Sequence, residues 1–86
     1  MNQRLSILQS ALTASEQLLA RYPENNALQS INVQLKYLMS VASGEESDRS
    51  RLKEIIIGVL TAREIESLDE DAAELFYKAA DEARRM

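Results

Sequence analysis

The chain has 86 residues and a mass of 9.7 kDa, room for a single small domain. It contains no Cys and no His, which excludes disulfide staples, thiolate nucleophiles, histidine triads, zinc centres and histidine phosphorelays. Fourteen acidic against ten basic residues give a formal charge of −4, the wrong sign for a phosphate-binding face.

The first helix is expected from about Asn2 to Arg21. Leu5, Leu8, Leu12, Ser15, Leu19 and Tyr22 recur at helical spacing, with Ile7, Ala11, Ala14 and Leu18 beside them. Ser6, Gln9, Ser10, Thr13, Glu16 and Gln17 fill the polar half of the wheel. Pro23 cannot continue this helix, and it biases Tyr22 away from helical angles. The second helix starts between Pro23 and Asn26, with Asn25 as cap or Pro23 in its first turn. It runs to about Ser43 on a stripe of Leu28, Ile31, Leu35, Leu38, Met39 and Ala42, and Gly44 stops it.

Glu45-Glu46-Ser47 makes a short acidic connection, after which Asp48 or Ser47 can cap a third helix. That helix is expected to bury Leu52, Ile55, Ile56, Val59, Leu60 and Ala62 on one face. The run Ile55-Ile56-Ile57 has strand character, but its neighbours favour helix and no partner strand exists elsewhere. Gly58 inside the helix points to close approach of another backbone, in the bundle or from a partner. Asp69 opens the fourth helix as cap, Glu70 and Asp71 complement the helix dipole, and Leu68 can staple onto Ala73. Its buried set is Ala72, Leu75, Phe76, Ala79 and Ala83, with Arg84 and Arg85 at the C-terminal dipole end. Short connections make neighbours antiparallel, so the expected fold class is all-α, a compact antiparallel four-helix bundle spanning residues 1–86 as one domain. Size scaling gives such a bundle a folded surface of roughly 5,100 Å².

Some apolar residues fall outside these stripes. Val33, Tyr37 and Val41 stand at i, i+4 and i+8 on the second helix, roughly 140–220° around the wheel from Leu28. Ile57 and Tyr77 also leave the main stripes. Either a neighbouring element covers the row, or the row is exposed and binds a partner or a second copy of the chain. Acids cluster at Glu45, Glu46 and Asp48, and again at Asp69, Glu70, Asp71 and Glu74. Paired carboxylates can act as acid and base or hold a hard cation. Capping already explains the second cluster, however, and solvation in a turn explains the first. Asp69-x-Asp71 lacks the spacing of a calcium loop, and no glycine-rich phosphate loop or serine nucleophile motif is present. No metal, no cofactor and no catalysis are expected. Nothing approaches the run of about 18 apolar residues that marks a membrane span, and the N-terminal residues do not form a signal-peptide core. The cytoplasm is the expected compartment.

Arg21-Tyr22-Pro23, Leu28, Ser30, Gln34-Leu35-x-Tyr37, Ser40-Val41, Asp48-Arg49-Ser50-x-Leu52, Gly58, Glu64 and Asp69 together resemble a known family. The sequence is similar there to the small helical immunity proteins of bacterial type VI secretion that are paired with effectors hydrolysing NAD(P)+. The resemblance implies a non-catalytic, cytoplasmic antitoxin that binds a cognate effector toxin and blocks substrate access to its active site. Tyr37 and Val41 match the family on the unexplained row. The partner-binding residues expected on this basis are Val33, Tyr37, Val41, Glu45, Glu46 and Arg49. Asp48 and Ser50 are expected to shape the turn. The competing expectation is a small helical adaptor or secretion chaperone that pairs with itself through the same row.

Overall fold

A computed structural model describes residues 3–86 of the chain. Helix α1 spans Gln3–Arg21, α2 Asn26–Ser43, α3 Ile57–Leu60 and α4 Glu70–Arg84. A 3₁₀ turn at Leu52–Glu54 precedes α3, and a π-helical turn at Thr61–Ile65 continues it. No strand occurs among the described residues. The bundle exposes 5363 Å², close to the size expectation. Residue Asn2, where the first helix was expected to start, lies outside the described residues.

Helix α1 is central, packed on α2 along one flank and on α4 along the other. Leu8, Ala11, Ser15 and Leu18 form its buried face, with Leu12, Leu19 and Tyr22 at the margins. Ser15 is fully buried and fully satisfied. Its hydroxyl donates to the Leu12 carbonyl at 2.7 Å and accepts from the Asn32 amide of α2 at 2.9 Å. Joining two buried polar groups in this way avoids the cost of an unpaired one and fixes the register of α1 against α2. Asn32 was not expected in the core, because sequence pattern alone does not reveal a buried partner for an amide.

Asn25 caps α2 with extended backbone, its side chain accepting from the Leu28 N–H at 3.0 Å. Leu28, Ile31, Leu35 and Leu38 are fully buried, while Met39 and Ala42 are half-buried. Gly44 ends the helix at φ +89°, where its missing Cβ removes the left-handed penalty. Its N–H donates to the Val41 carbonyl, and the Glu46 N–H returns to the Ser40 carbonyl at 3.0 Å.

The third helix departs from expectation in extent and in face. Asp48 does not cap a helix. Its carboxylate accepts from the Ser50 N–H at 2.9 Å in a local turn. The backbone is extended at Ile55, and the Ile56 N–H is taken by the Gln34 side chain of α2 at 2.8 Å. Three successive β-branched residues also weaken helix propagation there. Regular helix begins only at Ile57. The buried residues are then Ile57, Thr61 and Ile65, each fully buried at i, i+4 and i+8. Ile56, Val59 and Ala62, expected inside, are exposed, whereas Ile57, expected off the stripe, is core. The Thr61 hydroxyl donates to the Ile57 carbonyl at 2.7 Å, and Glu66 N–H bonds the Thr61 carbonyl, widening this turn to π geometry. A Cβ on Gly58 would meet the Ala80 side chain of α4 at 3.7 Å, an ordinary contact, so the close approach of another backbone expected at Gly58 is not made within the bundle.

Asp69 caps α4 as expected, accepting from the Ala72 N–H at 3.0 Å. Phe76 is the large fully buried residue of this helix, set among Ala72, Ala73, Ala79 and Ala83. Glu82 accepts from Arg4 at 2.9 Å and from Arg85 at 3.3 Å, tying the start of α1 to the end of α4. Arg84 pairs with Asp81.

Candidate partner-binding surface

The row Val33, Tyr37 and Val41 is divided by the fold. Val33 is 64% exposed. Tyr37 is half-buried against the core, and its hydroxyl donates to the Asp48 carbonyl at 2.8 Å. Val41 is only 6% exposed, so it is not a surface residue in this conformation. The connection after Gly44 turns back along α2, where the Glu46 N–H meets the Ser40 carbonyl and Tyr37 meets Asp48, while the N-terminal end of the row stays open. The two readings of the row therefore apply to different residues of it.

Glu45, Glu46 and Arg49 all lie on that connection and are exposed. Each is also engaged. Ser43 donates to the Glu45 carboxylate at 3.1 Å, and the Asp48 N–H donates to Glu46 at 3.0 Å. The Arg49 guanidinium donates to the Met86 carbonyl at 2.9 Å, joining the connection to the end of α4. The Ser50 N–H and hydroxyl beside Asp48 hold its carboxyl below the usual carboxylate range. No group of three or more acidic residues among those described is placed to hold a metal ion. No described helix is long and apolar enough to cross a membrane.

A second apolar surface escaped the sequence reading. Ile56 is 48% and Val59 54% exposed. Together with Val33 they are the exposed large apolar residues of the described chain. They border a cleft of about 490 Å³ between the 52–62 segment and α4, lined also by Ile55, Tyr77, Ala80 and Arg84. The Gln34–Ile56 hydrogen bond brings this segment against α2. The signal that could have found the cleft is the spacing Ile57–Thr61–Ile65. That register turns Ile56 and Val59 outward.

Tyr77 on the cleft wall donates its hydroxyl to Glu66, which raises its pKa above the ordinary 10.0, with burial and the Glu66 charge adding to the shift. A raised phenol pKa stabilises the fold below pH 10, and that contribution is lost as pH rises through the folded value. Glu66→Gln is expected to bring the Tyr77 midpoint down toward 10.0, read from its ring resonances in an alkaline NMR titration.

The geometry defines a class: a small helical bundle whose surface chemistry is suited to protein contact. A family model for Tsi6 matches residues 3–85, and the chain belongs to the Tsi6 family. The bundle matches the structure of Tsi6 from Pseudomonas aeruginosa with a TM-score of 0.91 and 27% identity, covering 99% of this chain and 88% of that one. It matches equally well, at TM-score 0.91 and 27% identity, a chain in a structure of Tse6 in complex with Tsi6, over 98% of this chain and 89% of that one. No sequence among curated proteins matches the chain. The all-helical bundle and the immunity-protein resemblance of residues 21–69 are thus both borne out.

Proposed function

We propose that this chain is a cytoplasmic immunity protein of type VI secretion. Residues 1–86 act as one binding domain that seizes the toxin domain of a cognate effector, hydrolysing NAD(P)+, and closes its active site to substrate. The observation that carries this reading is membership of the Tsi6 family, together with a 27% identical relative solved in complex with Tse6. The chemistry of the chain agrees with it. No His or Cys is available for catalysis, and the net charge of −4 suits attraction to a cationic pocket built for a dinucleotide. A tight complex needs about 800 Å² from each partner, a modest share of the 5363 Å² this bundle exposes.

Within this proposal Val33 is the exposed apolar anchor and the half-buried Tyr37 stands one helical turn further along. Glu45, Glu46 and Arg49 supply the polar rim, and Val41 lies beneath. Expression of the neighbouring effector's toxin domain in a host cell tests the function. Co-expression of this chain is expected to restore growth and hold cellular NAD+ and NADP+ at their uninduced levels. Growth arrest with depleted dinucleotides, despite soluble chain in excess, contradicts it. A chain that forms homodimers and leaves the toxin untouched supports the adaptor reading instead.

A further inference from the structure

Residues Glu45–Arg51 cross from the end of α2 to the 3₁₀ turn, and all seven are exposed. None is apolar. At its ends the segment is bonded to its neighbours in the chain. On the α2 side the Glu46 N–H donates to Ser40 and Ser43 donates to Glu45, and on the other the Leu52 N–H donates to Arg49 and the Glu54 N–H to Arg51. Between them, two hydrogen bonds reach residues more distant in the chain. Tyr37 donates to the Asp48 carbonyl at 2.8 Å, and Arg49 donates to the Met86 carbonyl at 2.9 Å. The Glu46–Asp48 and Asp48–Ser50 bonds are internal to the segment and would travel with it. At one end stands Gly44 at φ +89°, and at the other Leu52 packs on the core. Val41, beside this segment, is 6% exposed yet stands apart from the contiguous core that includes Leu35 and Leu38. Its burial therefore depends on surroundings other than the main core.

A segment without buried apolar contacts, held by solvent-exposed hydrogen bonds, opens at a free energy far below that of global unfolding. We propose that Glu45–Arg51 is a strap that opens as a unit while the bundle stays folded, with Tyr37 and Arg49 as its latches, and that opening uncovers Val41. The apolar row Val33–Tyr37–Val41 is then complete only in the open state. A partner that binds the whole row selects that state and draws the equilibrium toward it. The strap goes beyond the immunity reading, and its test uses the free chain, so either can fail without the other.

Because the chain has no cysteine, a single introduced thiol reports on its own site. Val41→Cys is labelled under native conditions and compared with Ala79→Cys, at a position fully buried in α4. The cysteine at 41 is expected to react at least about a hundredfold faster than that at 79, which needs global opening. Adding Tyr37→Phe removes one latch and is expected to speed labelling at 41 about fivefold, the effect of one ordinary hydrogen bond. Labelling at 79 should not change. Arg49→Ala should act in the same direction. Equal rates at 41 and 79 overturn the proposal, as does a Tyr37→Phe effect that is absent or the same at both sites. Amide exchange at Glu46, whose N–H bonds across to the Ser40 carbonyl of α2, compared between the unsubstituted chain and Tyr37→Phe, repeats the test without a cysteine. Faster exchange at Glu46 with unchanged exchange at Leu35 supports the strap. Unchanged exchange at Glu46 overturns it.

Discussion

Phe76→Ala is expected to remove about 3–5 kcal/mol of folding stability, most of the roughly 5 kcal/mol that a bundle of this size holds. The reason lies in the composition of α4. Its fully or nearly buried apolar positions are Ala72, Ala73, Ala79 and Ala83, and Phe76 is the large side chain among them. Helix α4 packs on both α1 and α3, and Phe76 belongs to the core they share. Truncating it leaves a cavity that the neighbouring alanines cannot fill, since none has atoms beyond Cβ. Urea unfolding followed by circular dichroism checks this, with a midpoint near zero denaturant expected. Leu75→Ala, at a half-buried position one residue away, should cost clearly less. Equal losses at 75 and 76 would contradict the packing described.

Val33→Asp is expected to weaken effector binding by about 2 kcal/mol, roughly thirtyfold, the size of a hot-spot loss. The fold should tolerate it within about 0.5 kcal/mol, because the site is a surface one away from caps and core. Val33 is the informative position because it is 64% exposed and bears no latch. Tyr37→Ala would also weaken binding, but it removes the bond to Asp48 at the same time, so contact and strap effects merge. Calorimetric titration of the toxin domain into each variant separates them. Full affinity in Val33→Asp would take the exposed end of α2 out of the interface. It would leave Ile56 and Val59 as the apolar surface available to a partner.

How far the sequence could be read differed from element to element, for physical reasons. Helices α1, α2 and α4 have strong periodicity and local signals at their ends. Pro23, Asn25, Gly44 and Asp69 act there through their own backbone or side-chain chemistry, and each behaves as its residue type dictates. The third helix lacks such autonomy. Its start is decided by Gln34, 22 residues away, which takes the Ile56 N–H, and by Asp48 spending its carboxylate on Ser50. With three isoleucines in a row, hydrophobicity alone could not tell which one faces inward. The buried Ile57–Thr61–Ile65 face was missed because it includes a threonine whose hydroxyl is satisfied by its own helix. On the candidate surface, the polarity of Glu45, Glu46 and Arg49 was legible, and the row of Val33, Tyr37 and Val41 could be read either as covered or as exposed. The division of that row, with Val33 exposed and Val41 buried, was not legible, because tertiary packing sets it and no hydrophobic pattern announces that.

We propose that this chain silences a dinucleotide-hydrolysing toxin by occupying its active site. The most direct measurement is the initial rate of NAD+ hydrolysis by the purified toxin domain of the neighbouring effector as this chain is titrated in. Occupation of the active site predicts a linear fall to zero at one chain per toxin, with the bound toxin no longer able to take up NAD+. A stoichiometric complex that still hydrolyses NAD+ at the free rate would contradict it.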